Sequence, residues 1–416
     1  MNQKTLVGLA VAALLAIVAA IVLNQRSQPR SEGGGEQASY LAPGLRDHVN
    51  DVAKVIVTGA DNKTVATLTR AADGWSLAEK GGYAADTGKL RELLLKLADA
   101  KLVEQKTSNK DKYATLGVED VAAKDAKSLQ VELDGLEQPV KLIVGNAGQR
   151  GSYARRVGDA QSWLASATLA LPKDAAEWLK KDLVDIAATR IEAVTLTHTD
   201  GKSVRVYKDA AGDASYKIAD IPKGREAGSE FSANGLAGTL SALRFDDVMP
   251  AKDALPAAQP LKAHYAGFDG LVIDVTAWEK DGKDYAQFKA SFDAAQADKG
   301  IAAAQAKAKA DFDVATAAAE AAKASKDAQA ADAADAPIKP MSVGDPAKDR
   351  ENRLAAVNKE IADLNARFDG WTFVLPAYKY ASINKSLEDL LKPLEDKKPA
   401  DAAAKKADGK KPAKGG

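Results

Sequence analysis

The residues of this chain best suited to chemistry are scattered along it. Gly145, Gly148 and Gly151 in VGNAGQRGSYARR follow an apolar run as phosphate-binding loops do, with Arg150, Arg155 and Arg156 close enough in sequence to help hold an anion. A phosphate loop, however, ends in Gly-Lys-Ser/Thr or opens a helix at its last glycine, so that helix amides face the phosphate. Neither feature is present, and the segment reads as a Gly-rich hairpin loop whose arginines are equally well explained by a solvated strand face. His48, His198 and His264 lie far apart, and none belongs to a paired metal-ligand motif. Asp246-Asp247 reads as a polar helix exit rather than a catalytic carboxylate pair. Trp371, Phe373, Tyr378 and Tyr380 recur along what reads as the last strand, which gives either a ligand-stacking face or ordinary core packing, the latter being favoured. There is no cysteine, which excludes thiol nucleophiles, disulfides and thiolate metal sites. No residue is therefore assigned a catalytic, cofactor or metal role, and the chain reads as a non-enzyme without a cofactor.

The elements that carry these residues form a composite chain. At 416 residues it exceeds a single hydrophobic core, and its 58 Lys plus Arg balance 58 Asp plus Glu, so no basic footprint for nucleic acid exists. Residues 6–23, LVGLAVAALLAIVAAIVL, form an unbroken apolar run that would span about 27 Å as a helix. The run exceeds a usual signal core, and bulky Ile21, Val22 and Leu23 stand at its exit, so residues 1–24 read as an uncleaved anchor in a lipid bilayer. Lys4 on one side and Arg26 and Arg30 on the other nearly balance. With so short a leading segment, the amino end is expected in the cytoplasm and the bulk outside it. Residues 25–50, with Gly33-Gly34-Gly35, read as a flexible tether.

Beyond the tether the chain writes one plan twice. Val55 and Val57, the turn Asp61-Asn62, then Val65 and Leu68 predict a hairpin, and Val194, Leu196, Asp200-Gly201, Val204 and Val206 predict another. Gly74 to Leu77 and Ser215 to Ile218 each predict a third short strand. Helices follow, one with Leu90, Leu93, Leu94 and Leu97 on a face and Asp86 as N-cap, the other with Leu236, Leu240 and Leu243 and Ser232 as N-cap. Alternating runs ending at Val144 and Phe292 add further strands. The expected fold class is therefore α+β, a tandem duplication of an antiparallel-sheet-plus-helix unit, with repeats at 51–185 and 186–292, the second completed by 368–392.

Residues 293–367 interrupt the second repeat with Ala, Lys, Asp and Gln, good helix formers. Leu354, Val357, Ile361, Leu364 and Phe368 make a heptad stripe, with Asp345 as N-cap and Pro346 in the first turn. An arm-like antiparallel helical hairpin is expected, with disorder as the competing reading after Lys323. Residues 393–416, holding seven Lys and two Asp from Lys397 onward, read as a disordered basic tail.

The anchor, the hairpin, GWSL at 74–77, the Leu-rich helix, YATLGVED at 113–120 and the strand-LIVG-turn-SYARR segment together resemble the bacterial family called domain of unknown function 4340. The resemblance covers residues 50–292 and 368–391, and the long Ala-rich insertion departs from it. Members are often encoded beside ABC-transporter subunits of the gliding-motility or auxiliary type. The resemblance thus implies a single-pass protein of the bacterial inner membrane, extracytoplasmic in bulk, that serves as a non-enzymatic accessory to an ABC-type envelope transport complex, with permease or auxiliary subunits as partners. The alternative is an envelope module that binds a glycan or wall polymer through Trp371, Tyr378 and the Arg150 to Arg156 cluster.

Overall fold

A computed structural model describes residues 40–324 and 337–393. The expected anchor, residues 25–39 of the tether, residues 325–336 of the insertion and residues 394–416 of the tail lie outside the described residues. Among the described residues no helix is long and apolar enough to cross a membrane. The chain divides into two units between Leu179 and Lys180. The expected boundary at 185/186 falls inside the second unit, because the strand Asp182–Val184 pairs there with Leu243–Arg244.

The first unit begins earlier than the apolar pattern predicts. Leu41 and Leu45 are fully buried, so residues 40–50 belong to the body and not to the tether. Each such leucine contributes about 1.5–3 kcal/mol of transfer free energy. Nine strands follow: β1 Lys54–Thr58, β2 Thr64–Ala71, β3 Gly74–Leu77, β4 Tyr83–Ala84, β5 Leu102–Gln105, β6 Leu129–Asp134, β7 Val140–Gly148, β8 Gly151–Arg156 and β9 Ser162–Ala165. They form one antiparallel sheet in the order β4-β3-β2-β1-β6-β7-β8-β9-β5. The β1–β2 hairpin turns on Asp61 and Asn62, both at positive φ, and its register sets Val55 opposite Leu68 and Val57 opposite Ala66, all four buried. Helix α1, Thr87–Asp99, lays its buried leucines 90, 93, 94 and 97 into the core, and the Asp86 carboxylate accepts from the Lys89 amide at 3.0 Å as the expected cap.

The second unit holds β10 Asp182–Val184, β11 Ile191–Thr197, β12 Ser203–Tyr207, β13 Lys217–Ile218, β14 Leu243–Arg244, β15 Asp247–Pro250, β16 Leu261–Gly267, β17 Leu271–Lys280, β18 Lys283–Phe292 and β19 Trp371–Leu375. Its main sheet runs β13-β12-β11-β16-β17-β18-β19-β15, antiparallel throughout. Helix α2, Glu230–Ala237, is capped by Ser229 and not by Ser232, which lies inside it. It stops earlier than the leucine spacing suggests. The backbone tightens at Gly238 into a 3-10 turn ending at Leu240, and Leu243 enters β14. Asp246-Asp247 is consequently no helix exit: the Asp246 amide bonds Val374 and Asp247 opens the edge strand β15.

The insertion contains helix α3, Ala294–Ala324, and helix α4, Pro346–Phe368, with Asp345 capping α4 through the Lys348 amide at 3.0 Å. Its heptad stripe faces the sheet as well as α3. Val357, Leu364 and Phe368 are buried, the Phe368 ring lies 5.4 Å from that of Phe288 on β18, and the Asn365 amide group exchanges two hydrogen bonds with the Ala290 backbone. The root of the insertion is thus part of the second core. After β19, residues 377–383 form helix α5 where a strand was expected; its first residue follows Pro376, which fixes φ and presets a helix start.

Candidate functional site

The structure gives most of the chemically suggestive residues a structural employment. Arg155 is 3 % exposed and spans the first unit, donating to the Val118 carbonyl at 3.1 Å, to the Asp159 carbonyl at 2.9 Å and to the Asp120 carboxylate. Arg156 donates to the carbonyls of Leu41 at 2.9 Å and Tyr40 at 2.7 Å. Both are braces, not a solvated strand face, because the Val118, Leu41 and Tyr40 carbonyls are brought in by distant segments. The Arg155 guanidinium also stacks 4.6 Å from the Tyr113 ring centre, and the Tyr113 hydroxyl donates to Ala160. Tyr113, Val118 and Ile143 pack as one cluster with Leu116 and Tyr153 against it, so YATLG and SYARR meet in space.

Gly145, Gly148 and Gly151 belong to the β7–β8 hairpin, as a Gly-rich loop should. A side chain at Gly145 would come within 2.5 Å of the Leu116 and Gly117 carbonyls, so this glycine permits close backbone approach and cradles no phosphate. His48, His198 and His264 are engaged separately, by Asp51 at 2.8 Å, by the Lys385 carbonyl at 3.0 Å and by Asp274 at 2.7 Å. Among the described residues no group of three or more His, Asp or Glu side chains is placed to hold a metal. Of the aromatic set, Phe373 is buried in the core, whereas Tyr378 on α5 is 67 % exposed, contrary to the core packing expected of it.

The arrangement with most capacity lies in the second unit, at the root of the insertion, and hinges on a residue the sequence did not single out. Arg190, just before β11, donates through Nε to Asp269 at 2.6 Å and through both terminal nitrogens to Glu360 of α4 at 2.8 and 2.7 Å. Burial pulls its pKa down most strongly, but Glu360 and Asp269 together outweigh this and hold it above the ordinary arginine value. This fork ties α4 to the β16–β17 turn. Gly300 of α3 sits on that same turn, where a side chain would fall 1.7 Å from the Phe268 carbonyl. Farther along, Gln305 of α3 bonds Asp349 at 3.0 Å and the Pro346 carbonyl at 2.8 Å. Held at both ends but lined by alanine between, α3 and α4 leave a groove of about 660 Å³. Its floor is Ala303, Ala304, Ala356, Ile301, Val357 and Phe268, closed on one side by residues 209–212.

Two large antiparallel sheets with packed helices, one interrupted by a helical insertion with an apolar groove at its root, define an α+β protein. Within it, a domain of the family described as Domain of unknown function (DUF4340) is found at residues 75–263. The matched stretch runs from β3 to β16 and includes the Tyr113–Arg155 cluster, while the insertion lies beyond it. No curated protein and no solved structure matches the chain.

Proposed function

We propose that the chain is a single-pass protein of the bacterial inner membrane, anchored by residues 6–23, whose extracytoplasmic body serves as a non-enzymatic accessory of an ABC-type envelope transport complex. The observation that carries this reading is the far end of the insertion, where Val314, Ile338 and Met341 are 71 %, 93 % and 52 % exposed. Large apolar side chains kept in water on a helical projection suit a partner surface. The body itself is a tandem duplication in this reading, supported by the parallel strand orders of its two sheets.

The test is capture from intact cells. After gentle cross-linking, the full chain is purified through a carboxyl-terminal tag and its companions are identified. Replacing residues 309–344 by a short Gly-Ser linker spares the buried part of α4. Loss of a recovered permease or auxiliary subunit, with the melting temperature unchanged, supports the reading, and undiminished capture sinks it. The alternative, a module that binds a glycan or wall polymer, is favoured by the exposed Tyr378 ring alone, since Arg155 and Arg156 are already engaged. Recovery with wall fragments, abolished by Tyr378→Ala, would move the assignment there.

A further inference from the structure

The groove between α3 and α4 extends along about 16 Å of helix from Gln296 to Lys307. Two walls are helices, whose backbone groups are bonded internally, the third is the loop 209–212, where the Asp213 carboxylate already takes the Asp209 and Ala210 amides, and the floor is hydrocarbon. An extended peptide or a sugar seated there would leave its own N–H, C=O or hydroxyl groups unpartnered, at a cost of about 1–3 kcal/mol each. A hydrocarbon chain has no such groups to satisfy. The charges at the two ends differ. Toward the root and the 209–212 side, Glu192, Asp209, Asp269 and Glu360 outnumber Arg190 and Lys299, and Arg190 is already shared by two carboxylates. At the far end the lining charges are Lys307 and Arg353, whose partners Asp311 and Asp349 do not line the groove. Lys307 is largely exposed, and exposed pairs of this kind are worth only about 0–1 kcal/mol, so an incoming anion competes readily.

We propose that this groove binds a long-chain carboxylate, its hydrocarbon chain lying over Ala303, Ala304 and Ala356 toward Phe268 and its head group between Lys307 and Arg353. The acidic root excludes the head and fixes the direction of the chain. Nothing in this assignment depends on the transport-complex reading, and the two fail separately.

The experiment uses the full chain in cells fed a fatty acid that carries a photoreactive diazirine and an alkyne handle. After irradiation the protein is purified and the labelled peptides are located by mass spectrometry. Adducts on residues 296–307 and 353–360 carrying the mass of the free acid are expected. Ala303→Trp, which plugs the groove, should abolish them. Lys307→Glu with Arg353→Gln, which strips the mouth of its cations without touching the floor or setting a carboxylate against Asp349, should lower labelling roughly tenfold while the melting temperature stays within a few degrees. Labelling confined to other segments, labelling unchanged in both variants, or an adduct with the mass of a diacyl phospholipid would each overturn the assignment.

Discussion

The first unit joins β8 to β9 through residues 157–161, whereas the second joins the corresponding neighbours β18 and β19 through residues 293–370. Both connections link adjacent antiparallel strands, and both are braced by one arginine from outside them. Arg155 holds the short turn by the Asp159 carbonyl, and Arg190 holds the long excursion by Glu360. The comparison teaches that a sheet specifies where a connection begins and ends but not its length. Register between β18 and β19 is kept by Tyr285 opposite Val374 and Ala286 opposite Phe373, so helices can be inserted between them while the ladder is retained. The cost of a longer loop grows only logarithmically, and the second unit offsets it by burying part of the insertion.

If that offset is real, the largest effect will come from Phe368→Ala, which should destabilise the second unit by about 3–5 kcal/mol through lost contact with Phe288 and Phe368's own burial. Hydrogen exchange read on β17–β19 should accelerate while β6–β8 remain protected; acceleration in both units would break the comparison. Next in size are the two braces. Arg190→Ala should cost the second unit about 2–3 kcal/mol, because Asp269 and Glu360 then face each other partly buried, and Arg155→Ala should cost the first unit a similar amount through the stranded Val118 and Asp159 carbonyls. Urea unfolding followed unit by unit checks both, and a brace whose loss is felt equally in the other unit is not local. The smallest effect concerns pH. Arg353, assisted by Gln305, holds the Asp349 carboxyl below its usual range. Its contribution is therefore complete above about pH 4 and lost as pH falls through the lowered value. Asp349→Asn should flatten that acid limb and change neutral stability by less than about 1 kcal/mol; an unaltered acid limb would show that the α3–α4 link carries no such charge.

What could be read from the sequence followed local periodicity. The hairpins at Asp61 and Asp200, helix α1 with its Asp86 cap, the Asp345-Pro346 start of α4 and the interruption of the second sheet were all legible because their signals lie within a few residues of one another. The misreadings share a cause. Leu243 continues a helical spacing, but Gly238 ends the helix; residues 377–383 alternate like a strand, but Pro376 starts a helix. The candidate site was the least legible part. Arg190 meets Glu360 far along the chain, and Arg155 is buried against the Val118 carbonyl 37 residues before it, so neither pairing leaves a local trace. The groove arises where alanines fail to fill the space between helices clamped at both ends, which no pattern on one helix discloses.

The placement of β15 has a consequence in time. This edge strand pairs with β19 alone, although the insertion and three other strands separate them in the chain. At about 5–20 residues per second of synthesis, β15 waits on the order of ten seconds after it is made before its partner exists. Once β18 has been made it too presents an open edge for the rest of that interval, which α4 reaches first through Asn365. A nascent chain of this kind completes its second sheet from the β13 side toward β15, and the last strand in space to be secured left the ribosome before the three strands β16, β17 and β18.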